Sequence, residues 1–229
     1  MLASRDLLTH PELAFLNDAY AVDGSEFPLL KELTLPKSNE TLQQVKLHLV
    51  FSLNHILAVE FLLGIHEASE RQAIRRLLKK GATYVLDRGY MAFNLLNDII
   101  QAQAFVVMRA YHNIVVEIVT ELPIQIPTYV QRHWTGICDR IVQSNHPDAT
   151  DLTFRLVEFT VGATTYKIIT NHTELTTFQI ILLYAYRWQI ELIFRFFKHT
   201  MQGRTVISTY PWGIENYFTG MFLTATLHL

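Results

Sequence analysis

Tyr184, Arg187, Glu191, Arg195 and Lys198 fall in one run, Tyr184-Ala-Tyr-Arg-Trp-Gln-Ile-Glu-Leu-Ile-Phe-Arg-Phe-Phe-Lys198, that contains neither glycine nor proline. Its apolar residues recur at helical spacing, which predicts a helix. At about 100° per residue, Tyr184, Arg187, Glu191 and Lys198 lie at roughly 0°, 300°, 340° and 320°, inside an arc of about 60°, and Arg195 joins them at about 20°. Leu182, Leu183, Tyr186, Ile190, Ile193, Phe194 and Phe197 fill an adjoining arc that must face a core. A carboxylate flanked by cations can hold a metal ion while its neighbours hold phosphates. The same spacing makes two i,i+4 ion pairs, Arg187–Glu191 and Glu191–Arg195. Such pairs are common on solvated faces and are worth only about 0.2–0.5 kcal/mol each. The rest of the chain decides between the two readings.

A metal-binding glutamate needs further carboxylates, and two aspartates stand where strands are expected. Thr83-Tyr-Val-Leu-Asp87-Arg-Gly-Tyr90 is a short apolar run closed by an aspartate and a glycine. It follows a helix-like segment, 68–80, and Gly81, the pattern of a buried strand in an α/β sheet. Asp87 then sits at the carboxyl end of its strand, where open α/β sheets place ligands. Asp and Gly also form turns, so Asp87 can equally cap the next turn. Tyr20-Ala-Val-Asp23-Gly-Ser-Glu-Phe27 repeats the pattern more weakly, because Asp-Gly is itself a common turn; Asp18 and Glu26 are its competitors.

Tyr, two residues, Arg, three residues, Glu, six residues, Lys resembles the Y-R-E-K signature of the insertion-sequence-four type of bacterial transposases, and Tyr184, Arg187, Glu191 and Lys198 match it completely. Asp87-Arg-Gly-Tyr is similar to that family's second acidic motif, and Asp23-Gly-Ser to its first. The gaps between the three acidic residues are 64 and 104 residues; the family places a β-rich insertion in the second. The resemblance implies an α/β, ribonuclease-H-like mixed sheet with helices, interrupted by that insertion. It implies Asp23, Asp87 and Glu191 as catalytic residues and ligands of two Mg2+ ions, with Mn2+ able to substitute. Tyr184, Arg187, Lys198 and Arg195 become DNA contacts. The implied activity is cut-and-paste transposition. The implied partners are transposon terminal repeats, target DNA and a second copy on paired ends, in the bacterial cytoplasm at the nucleoid. A ribonuclease-H-like nuclease without strand transfer would use the same carboxylates.

The predicted elements follow the ribonuclease-H-like order. A strand reaches Asp23; runs 45–53 and 56–64 form a hairpin around Asn54-His55. A helix (68–80), the Asp87 strand, a helix (92–102) and a strand (104–109) follow. In that fold the first and fourth strands are neighbours, which would set Asp23 beside Asp87. Segments 115–119, 137–143, 153–161 and 165–170 are β-branched or aromatic runs, and Val157, Phe159 and Val161 alternate with polar residues as in a half-buried strand. The expectation is one catalytic domain over 1–229, with its core in 15–112 and 172–229 and the β-rich insertion in 113–171. Pro123, Pro127 and Pro147 mark turns or edges there. His133 and Trp134 are candidate DNA contacts by resemblance, and Trp134 reads better as a core residue.

The chain has 229 residues, half of them apolar, enough for one sizeable domain. No apolar run is long enough to span a membrane, and Met-Leu-Ala-Ser-Arg-Asp at the start is not a signal peptide. A single cysteine, Cys138, excludes a disulfide within the chain and a cysteine-based zinc site, and reads as a core strand residue. His48 and His55 flank the hairpin turn and read as structural. A net charge of −2 is low for a DNA-binding protein, whose basic footprint supplies non-specific affinity. An acidic active site neutralised by metal ions accounts for part of it. Truncation is the expected source of another part: only 22 residues precede Asp23, where the resemblance implies a DNA-binding segment, and 218–229 reads as an unfinished helix. A truncated, inactive remnant that binds DNA or inhibits a longer enzyme is therefore the competing expectation. Arg71, Arg75, Arg76, Lys79 and Lys80 read as a solvated helix face.

Overall fold

The structure is a computed structural model that describes residues 16, 18–29, 44–64, 70–147, 152–201, 205–208 and 210–228. Strands β1 (Ala19–Pro28), β2 (Gln44–Ser52) and β3 (Leu57–Gly64) are followed by α1 (Glu70–Leu77), β4 (Thr83–Leu86), α2 (Phe93–Gln101) and β5 (Phe105–Arg109). Four strands come next: β6 (Glu117–Glu121), β7 (Thr135–Gln143), β8 (Thr153–Val161) and β9 (Thr164–Thr170). Helices α3 (Thr177–Tyr186), α4 (Trp188–Arg195) and α5 (Pro211–His228) end the chain. The strands form one sheet in the order β3-β2-β1-β4-β5-β9-β8-β7-β6. β1, β4 and β5 run parallel, and the remaining pairings are antiparallel.

The meander and the alternation that follows it match the expected element order, and β1 does lie beside β4. Period-two burial explains the layering. Val22, Leu86, Val106 and Met108 point to one face and pack on Ile74 and Leu77 of α1 and Leu95 and Ile99 of α2. Ala21, Val85 and Val107 point to the other, under Ile181, Ile190, Phe194 and Phe218 of α3, α4 and α5. Phe27 and Phe218 are fully buried and meet edge to face at 5.0 Å between ring centroids, a pairing worth about 0.5–1.5 kcal/mol beyond its area. The β-rich segment builds no second core of its own: β9 pairs with β5, so β6–β9 prolong the same sheet. Its far edge, β6, is exposed along its whole length.

The start of α3 is fixed from two directions. Thr176 and Gln179 form a reciprocal capping box. Behind it lies a buried ion pair. Arg155 of β8 donates from Nε (2.7 Å) and Nη2 (2.6 Å) to the two carboxylate oxygens of Asp139 on β7. Its Nη1 reaches the Leu175 carbonyl at 2.5 Å, and Thr177 Oγ1 donates to Asp139 at 2.6 Å. The prolonged sheet is thereby tied to the helix that leads toward Glu191.

Two expectations are corrected. The predicted helix over 184–198 is not continuous: α3 stops at Tyr186, α4 starts at Trp188, and a wide π turn follows over Phe196–Thr200. At Arg187 the ladder tightens to three-residue steps, with Arg187 N–H donating to Tyr184 O (3.1 Å) and Ile190 N–H to Arg187 O (3.2 Å). Both changes alter the turn per residue, so the single-helix arithmetic fails toward Lys198. Cys138 is on β7 but only partly buried. His48 is fully buried in β2, whereas His55 is exposed on the turn. Arg75 and Lys79 pair with Asp98 (2.5 Å) and Glu60 (3.2 Å), in keeping with an exposed basic face. Among the described residues, no helix is long and apolar enough to cross a membrane.

Candidate active site

The parallel register pairs Val22 of β1 with Leu86 of β4. One residue further along each strand stand Asp23 and Asp87, so the pairing alone brings the two aspartates to neighbouring positions. The Asp-Gly after Val22 is no turn: it lies inside β1, opposite Leu49 and His48 of β2. Glycine leaves room there, since a Cβ on Gly24 would come 3.0 Å from the Lys46 side chain and 3.2 Å from the His48 ring, and both would have to give slightly. Asp23 also accepts the Gly24 N–H at 2.8 Å. Asp87 follows β4 in an extended conformation and leads into a short 3-10 turn, Arg88–Tyr90.

Helices α3 and α4 supply the third side. The Tyr184 hydroxyl donates to Asp87 at 3.4 Å. Glu191 lies in the first turn of α4 and accepts from Arg187 Nη2. The other arm of the same guanidinium, Nη1, lies 3.9 Å from the Asp23 carboxylate. Thus five of the seven predicted site residues, Asp23, Asp87, Tyr184, Arg187 and Glu191, meet. Lys198 does not join them: its ammonium sits 4.9 Å from the centroid of the Phe27 ring, four residues or about 13 Å down β1 from Asp23. Arg195 is exposed and lies over Trp188, 6.0 Å from the ring centroid.

Electrostatics mark the cluster. Burial, with smaller contributions from the Asp87 and Glu191 charges, pushes the Asp23 carboxyl up to about 6, against the opposing pull of the Gly24 N–H and Arg187. The sign of the stability effect follows. A folded-state value above the ordinary 3.8 means that Asp23 favours folding only while protonated, so its contribution is lost as pH rises through about 6. Asp23→Asn should therefore stabilise the metal-free protein near pH 8 by about 1–2 kcal/mol and have little effect near pH 4. Thermal melts at the two pH values check this; equal shifts at both would refute it.

Sequence reasoning overlooked Tyr90. It is buried, and its hydroxyl has no hydrogen-bond partner among the described residues. Burial, then the charges of Asp23, Glu70 and Asp87, raise its pKa. The tyrosine was visible in the Asp-Arg-Gly-Tyr motif, but nothing in the sequence said that it is buried within electrostatic reach of Asp23 and Asp87.

Among the described residues, no three histidine, cysteine, aspartate or glutamate side chains stand close enough to hold a metal ion as they are. The donor chemistry does fit a hard divalent cation: Asp23, Asp87 and Glu191 offer only carboxylate oxygens, as Mg2+ and Mn2+ prefer. A cation already lies between two of them, in the form of the Arg187 guanidinium. Beside the cluster opens a cleft of about 510 Å³, walled by Asp87, Arg187 and Glu191 on one side and by Arg109, Trp134 and Trp188 elsewhere. Trp134 is partly buried against Phe159 and Phe178, so it is at once a core residue and a cleft residue.

A family profile described as Transposase DDE domain matches residues 15–227. A protein of Sinorhizobium fredii (strain NBRC 101917 / NGR234) named as a transposase is 30% identical over 192 residues, covering 81% of this chain and 53% of that protein. The chain thus spans about half the length of that relative. Among solved structures, Aquifex aeolicus Argonaute aligns with a TM-score of 0.31 and 11% identity over 73% of this chain and 24% of its own. Bacillus subtilis endonuclease V aligns with a TM-score of 0.32 and 9% identity over 93% and 82%.

Proposed function

Because this chain belongs to the Transposase DDE domain family, we propose that it is the catalytic part of a cut-and-paste DNA transposase of the insertion-sequence-four type. The observation that carries this reading is the meeting of Asp23, Asp87 and Glu191. One carboxylate lies on β1, the second directly follows the adjacent parallel strand β4, and the third comes from α4, with Tyr184 and Arg187 of the same signature between them in contact with all three. The strand order β3-β2-β1-β4-β5 supports a ribonuclease-H-like core in 15–112 and 172–229, with the β-rich segment 113–171 inserted between its halves.

Asp23, Asp87 and Glu191 would hold Mg2+, or Mn2+ in its place. Bound there, the metal would activate the attacking hydroxyl and neutralise charge on the departing oxygen of a phosphodiester. Tyr184 orients the Asp87 carboxylate through its hydroxyl. The Arg187 fork suits two phosphate oxygens at once, and Arg109 adds a second cation to the cleft. Trp134 and Trp188 offer flat apolar faces to bases at the DNA end. Lys198 and Arg195, further along the helix, fit backbone phosphates away from the cut. The partners on this reading are terminal-repeat DNA, target DNA and a second copy of the chain.

The test is a strand-transfer assay. The chain, Mg2+, DNA fragments taken from either side of its own coding region and a supercoiled target are incubated together. Joining of fragment 3′ ends to the target is the expected result. Cleavage without joining would favour a plain nuclease.

A further inference from the structure

Arg187 holds a position that a purely DNA-binding arginine does not need. Its side chain is only 12% exposed, and its two arms reach Asp23 on β1 and Glu191 on α4. The guanidinium thus spans two of the three proposed metal ligands, which come from different layers of the fold. Carboxylates that share a bulky planar cation cannot also close to the roughly 2.1 Å oxygen distances that Mg2+ demands, which agrees with the absence of a closed triad among the described residues. The backbone under Arg187 is the break between α3 and α4. The residue also lines the 510 Å³ cleft, which gives its side chain somewhere to go.

We propose that Arg187 is a placeholder cation: its guanidinium holds Asp23 and Glu191 until a divalent metal ion takes its place, and exchange turns it into the cleft. The proposal rests on the metal-site reading above. Its consequence is that metal affinity contains the work of displacing Arg187, because the competent state is only a fraction of the metal-free ensemble. Removing the guanidinium should tighten metal binding, the opposite of what removing an ordinary supporting residue does.

The experiment is Mn2+ binding, read from loss of the free ion's paramagnetic resonance signal. It uses the whole chain at about pH 8. Wild type, Asp23→Asn, Arg187→Gln and Arg187→Lys are compared, with a melting curve for each. Arg187→Gln should bind roughly tenfold tighter than wild type. Arg187→Lys, whose single ammonium cannot fork across both carboxylates, should bind about threefold tighter and carries the test if the glutamine variant does not fold. Wild-type binding that Asp23→Asn abolishes, with neither arginine variant tighter, overturns the placeholder and leaves the metal site standing. No binding by wild type or by either arginine variant overturns both.

Discussion

Asp87→Asn should lower metal-dependent cleavage at the DNA ends by at least about 10³-fold while leaving the fold intact. The side chain keeps its shape and loses its charge, so the substitution isolates the electrostatic role. The fold should tolerate it. Asp87 has an unstrained extended backbone, its side chain makes no cap bond, and the 3.4 Å contact with Tyr184 can pass to the amide oxygen. The chemistry should not tolerate it, because an amide is a poor ligand for a hard cation and cannot offset the charge that develops on phosphate oxygens. Initial cleavage rates against a melting curve separate the two effects. A variant that melts like wild type and keeps more than about a tenth of its rate would remove Asp87 from the catalytic set.

How much of this was legible in the sequence varies by residue. The position of Asp87 was legible because a four-residue apolar run leaves little choice: all of Thr83–Leu86 is buried, and the next residue must emerge at the strand's carboxyl end. The position of Asp23 on a strand was legible despite a misleading cue, since Asp23-Gly24 lies inside β1 and not in a turn. Tyr184, Arg187 and Glu191 were placed by helical phase, which holds over seven residues even across the break. Phase error grows with distance, and the π turn at Phe196–Thr200 carries Lys198 out of the group. Contacts that depend on three-dimensional closure left no trace in spacing. The fork of Arg187 across two elements, the burial of Tyr90 and the β9–β5 pairing are of that kind. So is the ion pair between Asp139 and Arg155, where two charged residues sit in strands otherwise read by their apolar alternation.

That ion pair is where a single substitution should unfold the protein most readily. Asp139→Ala should cost about 3–5 kcal/mol. Asp139 is 1% exposed and Arg155 5%, so solvent cannot replace what is lost. Without the carboxylate, the guanidinium keeps the Leu175 carbonyl at 2.5 Å as an acceptor, and Thr177 loses the oxygen that it donates to. In a domain of this size the loss should lower the melting temperature by roughly 10 °C. The pair's net worth is a separate quantity from the cost of breaking it. Charges this buried are expensive to desolvate, so Asp139→Leu combined with Arg155→Met should recover most of the stability. The double variant should nevertheless remain impaired in DNA cleavage. The pair, with Thr177 and Leu175, is what fastens β7 and β8 to the start of α3, and α3 carries Tyr184 and leads directly into Arg187 and Glu191. Apolar replacements restore packing but not the directional bonds that set where that helix begins. Denaturant midpoints and cleavage rates measured on the single and double variants test both halves: recovery of stability together with full activity would show that the pair only holds the fold and does not position Glu191.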